Sequence, residues 1–146
     1  PGSSSKPQLT LNAVDGPFAI EGAPDAPPLR VQPFTVMHGA MPILGFRAGG
    51  FAYITDGSAV PDATLPALAG LDVLVINALR RKPHPTHFHL AGALEAIARI
   101  RPARAYLTHI SHDFDHAALC REVPDGVQPA HDFLHTICPR IRAVYV

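Results

Sequence analysis

The chain is 146 residues long, with 12 Lys+Arg balanced by 12 Asp+Glu and a formal net charge of zero. That length suits one domain, and 47% apolar against 16% charged residues allows a core and excludes a disordered tail. The neutral balance leaves no electrostatic footprint for nucleic acid or anionic lipid, and no apolar run reaches the roughly 18 residues that a membrane helix needs. Two cysteines, Cys120 and Cys138, are too few for a disulfide scaffold and point to a reduced, cytoplasmic setting. Nine histidines and 16 prolines stand out. Histidine is the commonest protein metal ligand, and proline enforces turns between short elements.

In chain order, residues 1–7 read as a linker or loop. Residues 8–14 alternate, with Leu9, Leu11 and Ala13 on one side, and predict a strand. Its expected partner is Phe18-Ala19-Ile20, across the turn Asp15-Gly16-Pro17. A loop covers 23–28, and a strand over 29–37 runs into His38-Gly39. Strands over 43–47 and 51–55 flank Gly49-Gly50, a tight-hairpin signal. A short helix is expected over 62–69, stopped by Gly70. Residues 71–76 are nearly all apolar and end at Asn77, as in a strand buried on both faces. After the Pro-broken loop 80–89, Leu90, Leu94, Ile97 and Ala98 recur at helical spacing until Pro102. A strand over 103–107, a helix over 115–122 and one or two strands over 127–137 complete the pattern, and 138–146 has no clear period. Hairpins first, then alternating strand and helix, define an α/β layered domain with a mixed sheet.

Metal-capable residues recur directly after strands: His38, Asp56 and His109. In layered α/β folds the loops at one sheet end gather side chains from distant parts of the chain. Two imidazoles and a carboxylate suit Zn²⁺, Mn²⁺ or Fe²⁺, and each carboxylate oxygen can take one metal of a pair. Any one of the three alone reads as an ordinary loop residue; three placed alike favour a metal site. The loop before the Leu90 helix holds His84, His87 and His89. His87 and His89 could chelate, or one histidine could serve as a general acid beside the metals, or Thr86 could cap the helix while the imidazoles are merely exposed. One of the three is expected to be functional. Ser58 and Ser111 lack the nucleophile-elbow setting of a serine hydrolase, and neither Gly39 nor Gly49-Gly50 forms a phosphate cradle.

The strings "PFTVMHG", "GFRAGGFAYITDGS", "LDVLVINALRRKPHPTHFHL" and "YLTHISHDFDH" together resemble the metallo-β-lactamase superfamily, in its phosphoribosyl cyclic phosphate phosphodiesterase branch. The resemblance spans 8–132. It implies that His38, Asp56 and His109 are metal ligands, with Asp56 bridging two divalent ions (Zn or Mn), and that His87 contacts the substrate phosphate and protonates the leaving oxygen. A hydroxide held between the metals would attack phosphorus. The family's His-x-His-x-Asp-His motif is absent from this chain. The resemblance therefore implies the C-terminal half of an αββα sandwich over 8–137, with an unmatched tail over 138–146 and two metals incompletely ligated by this chain. Asn77 stands where relatives often carry Asp, and Phe133 where they usually carry Gly. The implied function is a metal-dependent phosphodiesterase for a small anionic substrate, favoured mildly by Arg80, Arg81 and Lys82, and incomplete without the missing half. The alternatives are an inactive half-domain used for binding or assembly, a thioester or lactone hydrolase on the same fold, and a metal-storage or sensor protein. A half-sandwich leaves one sheet face bare, which predicts pairing with an N-terminal half or with a second copy as a homo-oligomer.

Overall fold

The computed structural model describes residues 10–22, 27–136, 138 and 144–145. Strands β1 (Phe18–Ile20), β2 (Leu29–His38), β3 (Met41–Ala48), β4 (Phe51–Ile54), β5 (Val73–Asn77), β6 (Arg104–Thr108) and β7 (Val127–Pro129) lie side by side in that order in a seven-stranded sheet. Pairing is antiparallel from β1 to β4 and parallel from β4 to β7. Helix α1 (Leu90–Ile100) connects β5 to β6 and α2 (His116–Glu122) connects β6 to β7, while β8 (His135–Thr136) and β9 (Val144–Tyr145) form a separate antiparallel pair. The mixed α/β architecture is the expected one.

The sheet is stabilised from both sides. All five residues of β5 are buried. Leu74 and Ile76 join the larger core with Ile54, Leu107 and the α1 residues Leu90, Ala93 and Ile97. Val73 and Val75 face the other way, against Tyr106, Leu134 and Cys138. The i, i+3, i+7, i+10 spacing of the buried residues Leu90, Ala93, Ile97 and Ile100 is what lets α1 lie along the sheet. Its C-terminus closes at Arg101, in the left-handed region at φ 57, before Pro102 blocks continuation. Asp115 starts α2 by accepting a hydrogen bond from the Ala118 amide at 2.7 Å, the expected use of an acidic residue there.

Three local expectations need correction. Residues 10–14 form no strand, Leu11 is 94% exposed, and residues 8 and 9 lie outside the described residues. The alternation there has no sheet face to bury against. Phe18–Ile20 pairs instead with 29–31, in the register Phe18↔Val31 and Ile20↔Leu29. The expected helix over 62–69 is a 3₁₀ helix, Asp62–Leu68, with Pro66 inside it. Proline has no N–H to donate and its ring crowds the preceding turn, so an α-helical ladder cannot run through it. Of the expected terminal strands, Ile137 lies outside the described residues. Among the described residues no helix is long and apolar enough to cross a membrane.

The topology positions the functional residues. Strands β2 and β4 run the same way because each is antiparallel to β3, and β5 and β6 are parallel to β4. The C-terminal ends of β2, β4, β5 and β6 therefore open on one sheet edge.

Candidate metal centre

His38 is the last residue of β2, Asp56 follows β4 by two residues, His109 directly follows β6, and His87 lies in the loop between β5 and α1. Ligand atoms of Asp56, His87 and His109 all come within 4.8 Å of one another. His87 Nε2 stands 3.1 Å from Asp56 Oδ1, and His109 Nε2 stands 3.6 Å from the same oxygen. The His87 and His109 rings are stacked, with centroids 5.2 Å apart. The His38 ring meets His87 edge-on at 4.8 Å. All four residues singled out in the sequence thus share one place, with His38 beside the trio rather than within it. Unlike His38, His87 is in the trio, although the family resemblance gave it a proton-transfer role; chelation was the alternative that the residues left open.

Hydrogen bonds fix the orientation of each group. His38 Nδ1 donates to the Asp56 carbonyl oxygen at 2.7 Å. A carbonyl only accepts, so the proton is on Nδ1 and the Nε2 lone pair is left for a ligand. Next to it, the Gly39 amide donates to Ser58 Oγ at 2.9 Å, and Ser58 Oγ donates to the Met37 carbonyl at 3.0 Å. Ser58 ties the β2–β3 turn to the Asp56 loop. Asp56 itself has φ 57 and His109 has φ 54, a left-handed conformation that non-glycine residues adopt only when their surroundings hold them there.

Partial burial opposes ionisation of Asp56, but hydrogen bonds from Thr55 and His87, together with the charges of His109 and His87, outweigh it. The net effect holds its carboxyl below its ordinary value of 3.8, in the anionic form that a cation ligand requires. Thr55 Oγ1 donates to Asp56 Oδ2 at 3.0 Å, leaving Oδ1 to face the imidazoles.

Three further partners, Thr86, His84 and Asn77, were named in the sequence without the roles that the structure gives them. Thr86 Oγ1 lies 3.0 Å from His87 Nδ1 and 3.3 Å from His84 Nδ1, so it orients the catalytic candidate instead of capping α1. The cap position belongs to His89, which makes no side-chain cap bond. His84 Nδ1 also receives the Thr86 amide at 3.3 Å. Desolvation and the neighbouring Arg80, His87 and His38 push the His84 pKa down, consistent with a neutral acceptor. Asn77 is wholly buried and bonds the Gly57 peptide on both sides, accepting at 2.9 Å and donating at 3.0 Å. A histidine-rich loop signals chemistry by composition, whereas an amide at a strand end carries no such signal.

Four of the five remaining histidines fall elsewhere. His89 packs its ring against Gly92, His112 is exposed beside Asp113, and His116 meets His131 edge-on at 6.1 Å. Arg81 is paired with Glu122, with Nη2 2.6 Å from Oε2, and lies over the Phe114 ring at 5.0 Å. Arg80 folds back onto the Lys82 and Pro83 carbonyls. Both arginines are therefore engaged within the fold.

A sheet-edge cluster of carboxylate and imidazoles on a mixed α/β sheet defines a class, and comparison with known proteins agrees. The sequence profile of the β-lactamase superfamily domain matches residues 4–110. The chain belongs to this family, on the metallo-β-lactamase fold of hydrolases. A crystal structure of a diphosphatase from the PhnP family is 43% identical with a TM-score of 0.71, over 78% of this chain and 44% of that one. The metallo-β-lactamase fold protein YhfI from Bacillus subtilis shares the fold at 18% identity and a TM-score of 0.61, over 82% of this chain and 52% of that one. Among curated proteins, a Porphyromonas gingivalis protein named octanoyltransferase is 35% identical over 126 residues, 80% of this chain but 25% of that protein. The chain thus spans about half or less of the length of these relatives.

Proposed function

We propose that the chain supplies part of a divalent-metal-dependent phosphodiesterase or diphosphatase site, with His38, Asp56 and His109 as ligands and His87 as the residue that protonates the leaving oxygen. The observation that carries this reading is the convergence of Asp56, His87 and His109 within 4.8 Å at one sheet edge. The donor set, one anionic carboxylate and imidazoles, fits Zn²⁺ or Mn²⁺. When bound, such a cation activates water and offsets charge developing on the phosphorus oxygens. Asp56 contributes the fixed negative charge that draws the cation in. His87, only 15% exposed at its side chain, is held at Nδ1 by Thr86 and keeps Nε2 directed at the site, where it can deliver a proton. These residues are too few to fill two metal sites, and the further ligands would come from a His-x-His-x-Asp-His half. That half would sit on the sheet face on which register places Leu44 and Phe46, both among the exposed large apolar residues. A phosphorus ester or anhydride is favoured by the 43% identity to a diphosphatase.

The test uses the protein as expressed from its gene, assayed on bis(p-nitrophenyl) phosphate with added Mn²⁺ or Zn²⁺. His87→Ala lowers kcat by about 10²–10⁴-fold while metal content is retained. Loss of metal in proportion to activity would make His87 a ligand. Hydrolysis of p-nitrophenyl octanoate but not of the phosphodiester would transfer the site to acyl chemistry, in line with the octanoyltransferase likeness.

A further inference from the structure

The peptide unit joining Asp56 to Gly57 is gripped from both sides. Its carbonyl oxygen accepts from His38 Nδ1 at 2.7 Å, and its N–H donates to Asn77 Oδ1 at 2.9 Å. Asn77 completes the pair by donating from Nδ2 to the Gly57 carbonyl at 3.0 Å, and that carbonyl also accepts the Phe88 N–H at 2.6 Å. A primary amide offers one acceptor and one donor in a single plane, which matches the N–H and C=O of one residue, here the two successive peptides that flank the Gly57 Cα; among side chains Asn and Gln carry such an amide. Asn77 is the last residue of β5 and fully buried, so the strand itself anchors it. Gly57 is tightly enclosed as well: a Cβ there would stand 3.0 Å from the Ile54 side chain and 3.3 Å from the Phe88 ring, and both would have to shift.

The junction has a consequence for the site. Gly57 and Phe88 are hydrogen-bonded to each other, and their chain neighbours are Asp56 and His87, which meet at 3.1 Å. Asp56 stands at φ 57, a conformation that relaxes unless its flanking peptide is held. From this geometry we propose that Asn77 is a positioning residue of the cation site: by clamping the Asp56–Gly57 peptide it sets the place of the Asp56 carboxylate against His87 and His109. The inference deepens the proposed function and rests on its claim that Asp56 and His109 bind a divalent cation.

Co²⁺ alone serves as the probe, titrated into the purified protein and followed by its visible absorption. The proteins compared are the wild type, Asn77→Leu, Asn77→Asp and Asp56→Asn, at a temperature where far-UV circular dichroism shows each folded. Leu fills the space without either hydrogen bond, whereas Asp keeps the acceptor for the Gly57 N–H. The expected result is Co²⁺ binding weakened about tenfold or more with shifted absorption bands in Asn77→Leu, and binding within about threefold of wild type in Asn77→Asp. A purely packing role for Asn77 gives the reverse order, with Leu harmless and a carboxylate in the apolar interior damaging. That order, or wild-type binding by Asn77→Leu, overturns the proposal. If Asn77→Leu does not fold, Asn77→Ser takes its place, since its hydroxyl is too short to reach Gly57. Wild-type binding no tighter than that of Asp56→Asn would reject the proposed function, and this role with it, whereas a failure confined to the Asn77 variants rejects only the role.

Discussion

Among the described residues, four other than glycine adopt positive φ: Asp56, Arg101, His109 and Phe133. Two of the four are candidate ligands and one closes α1. The left-handed region costs a residue with a Cβ roughly 1–2 kcal/mol, so at Asp56 and His109 the surrounding hydrogen bonds offset a local strain that serves the site. Phe133 lies outside the site: the residue is 91% exposed and its φ is 60. Phe133→Gly relieves the strain and is expected to stabilise the fold by about 1 kcal/mol, read as a higher urea midpoint at unchanged m-value. A lower midpoint would show that the ring is packed in a way its exposure does not suggest. The identity of the ligand candidates was legible in sequence because each follows a strand, and strand ends on one edge gather. Their backbone conformation was not, since neither Asp nor His announces a positive φ. Asn77 was legible as a strand end and as a departure from the family pattern, but its role was not, because that is defined by Gly57, 20 residues away in the chain.

At the scale of elements, periodicity carried furthest where one face is buried. Strand β5, with apolar residues throughout, and α1, with its regular spacing, came out within a few residues of expectation. The alternation over 8–14 misled because alternation signals a strand only when a neighbour exists to pair with it, and 29–31 had already taken Phe18–Ile20. Hairpin β2–β3 shows how one residue sets packing. The Phe34 ring lies directly over Gly45, where an added Cβ would stand 2.4 Å from it. Phe34 is only 7% exposed, so its ring has nowhere to go. Gly45→Ala is expected to cost about 1–3 kcal/mol as overpacking, checked by equilibrium denaturation; a neutral effect would mean that the hairpin slides. The clip between the histidine loop and α2 makes a pH prediction. Hydrogen bonding to Arg81 holds the Glu122 carboxyl below its ordinary value of 4.5. The unfolded state then binds more protons as pH falls, so the contribution is complete above about pH 5 and is lost as pH drops through the folded-state value. Both partners are exposed, so the effect is small and screened by salt. Glu122→Gln flattens the acid limb of the midpoint-against-pH curve, and an unchanged limb would assign the acid sensitivity to other carboxylates.

For the whole molecule, the seven-stranded sheet is covered unequally. One face carries α1, α2 and the 3₁₀ helix through the larger core. On the other, Val73, Val75 and Tyr106 are covered by Leu134 and Cys138, but among the described residues the covering stops before the antiparallel half. Register places Phe46 across from Tyr53 and Leu44 across from Thr35, on this second face, and they remain 36% and 42% exposed. The Phe18 ring meets Phe46 edge-on at 6.3 Å, extending the patch towards Leu29 and Ile20, which are 36% and 50% exposed. Neighbouring apolar side chains on one sheet face mark an association surface, and a second sheet packing there would complete a sandwich. The chain alone is therefore expected to self-associate through this face, or to bind a complementary half when one is supplied. Sedimentation velocity on the wild type and on a Leu44→Glu, Phe46→Glu double variant separates the cases. Charges at both positions are expected to shift the chain to monomer with unchanged far-UV circular dichroism, because neither side chain belongs to the buried core. A wild-type chain that sediments as a compact, monodisperse monomer with no second polypeptide would remove the half-sandwich reading, and with it the expectation that further metal ligands arrive from across this face.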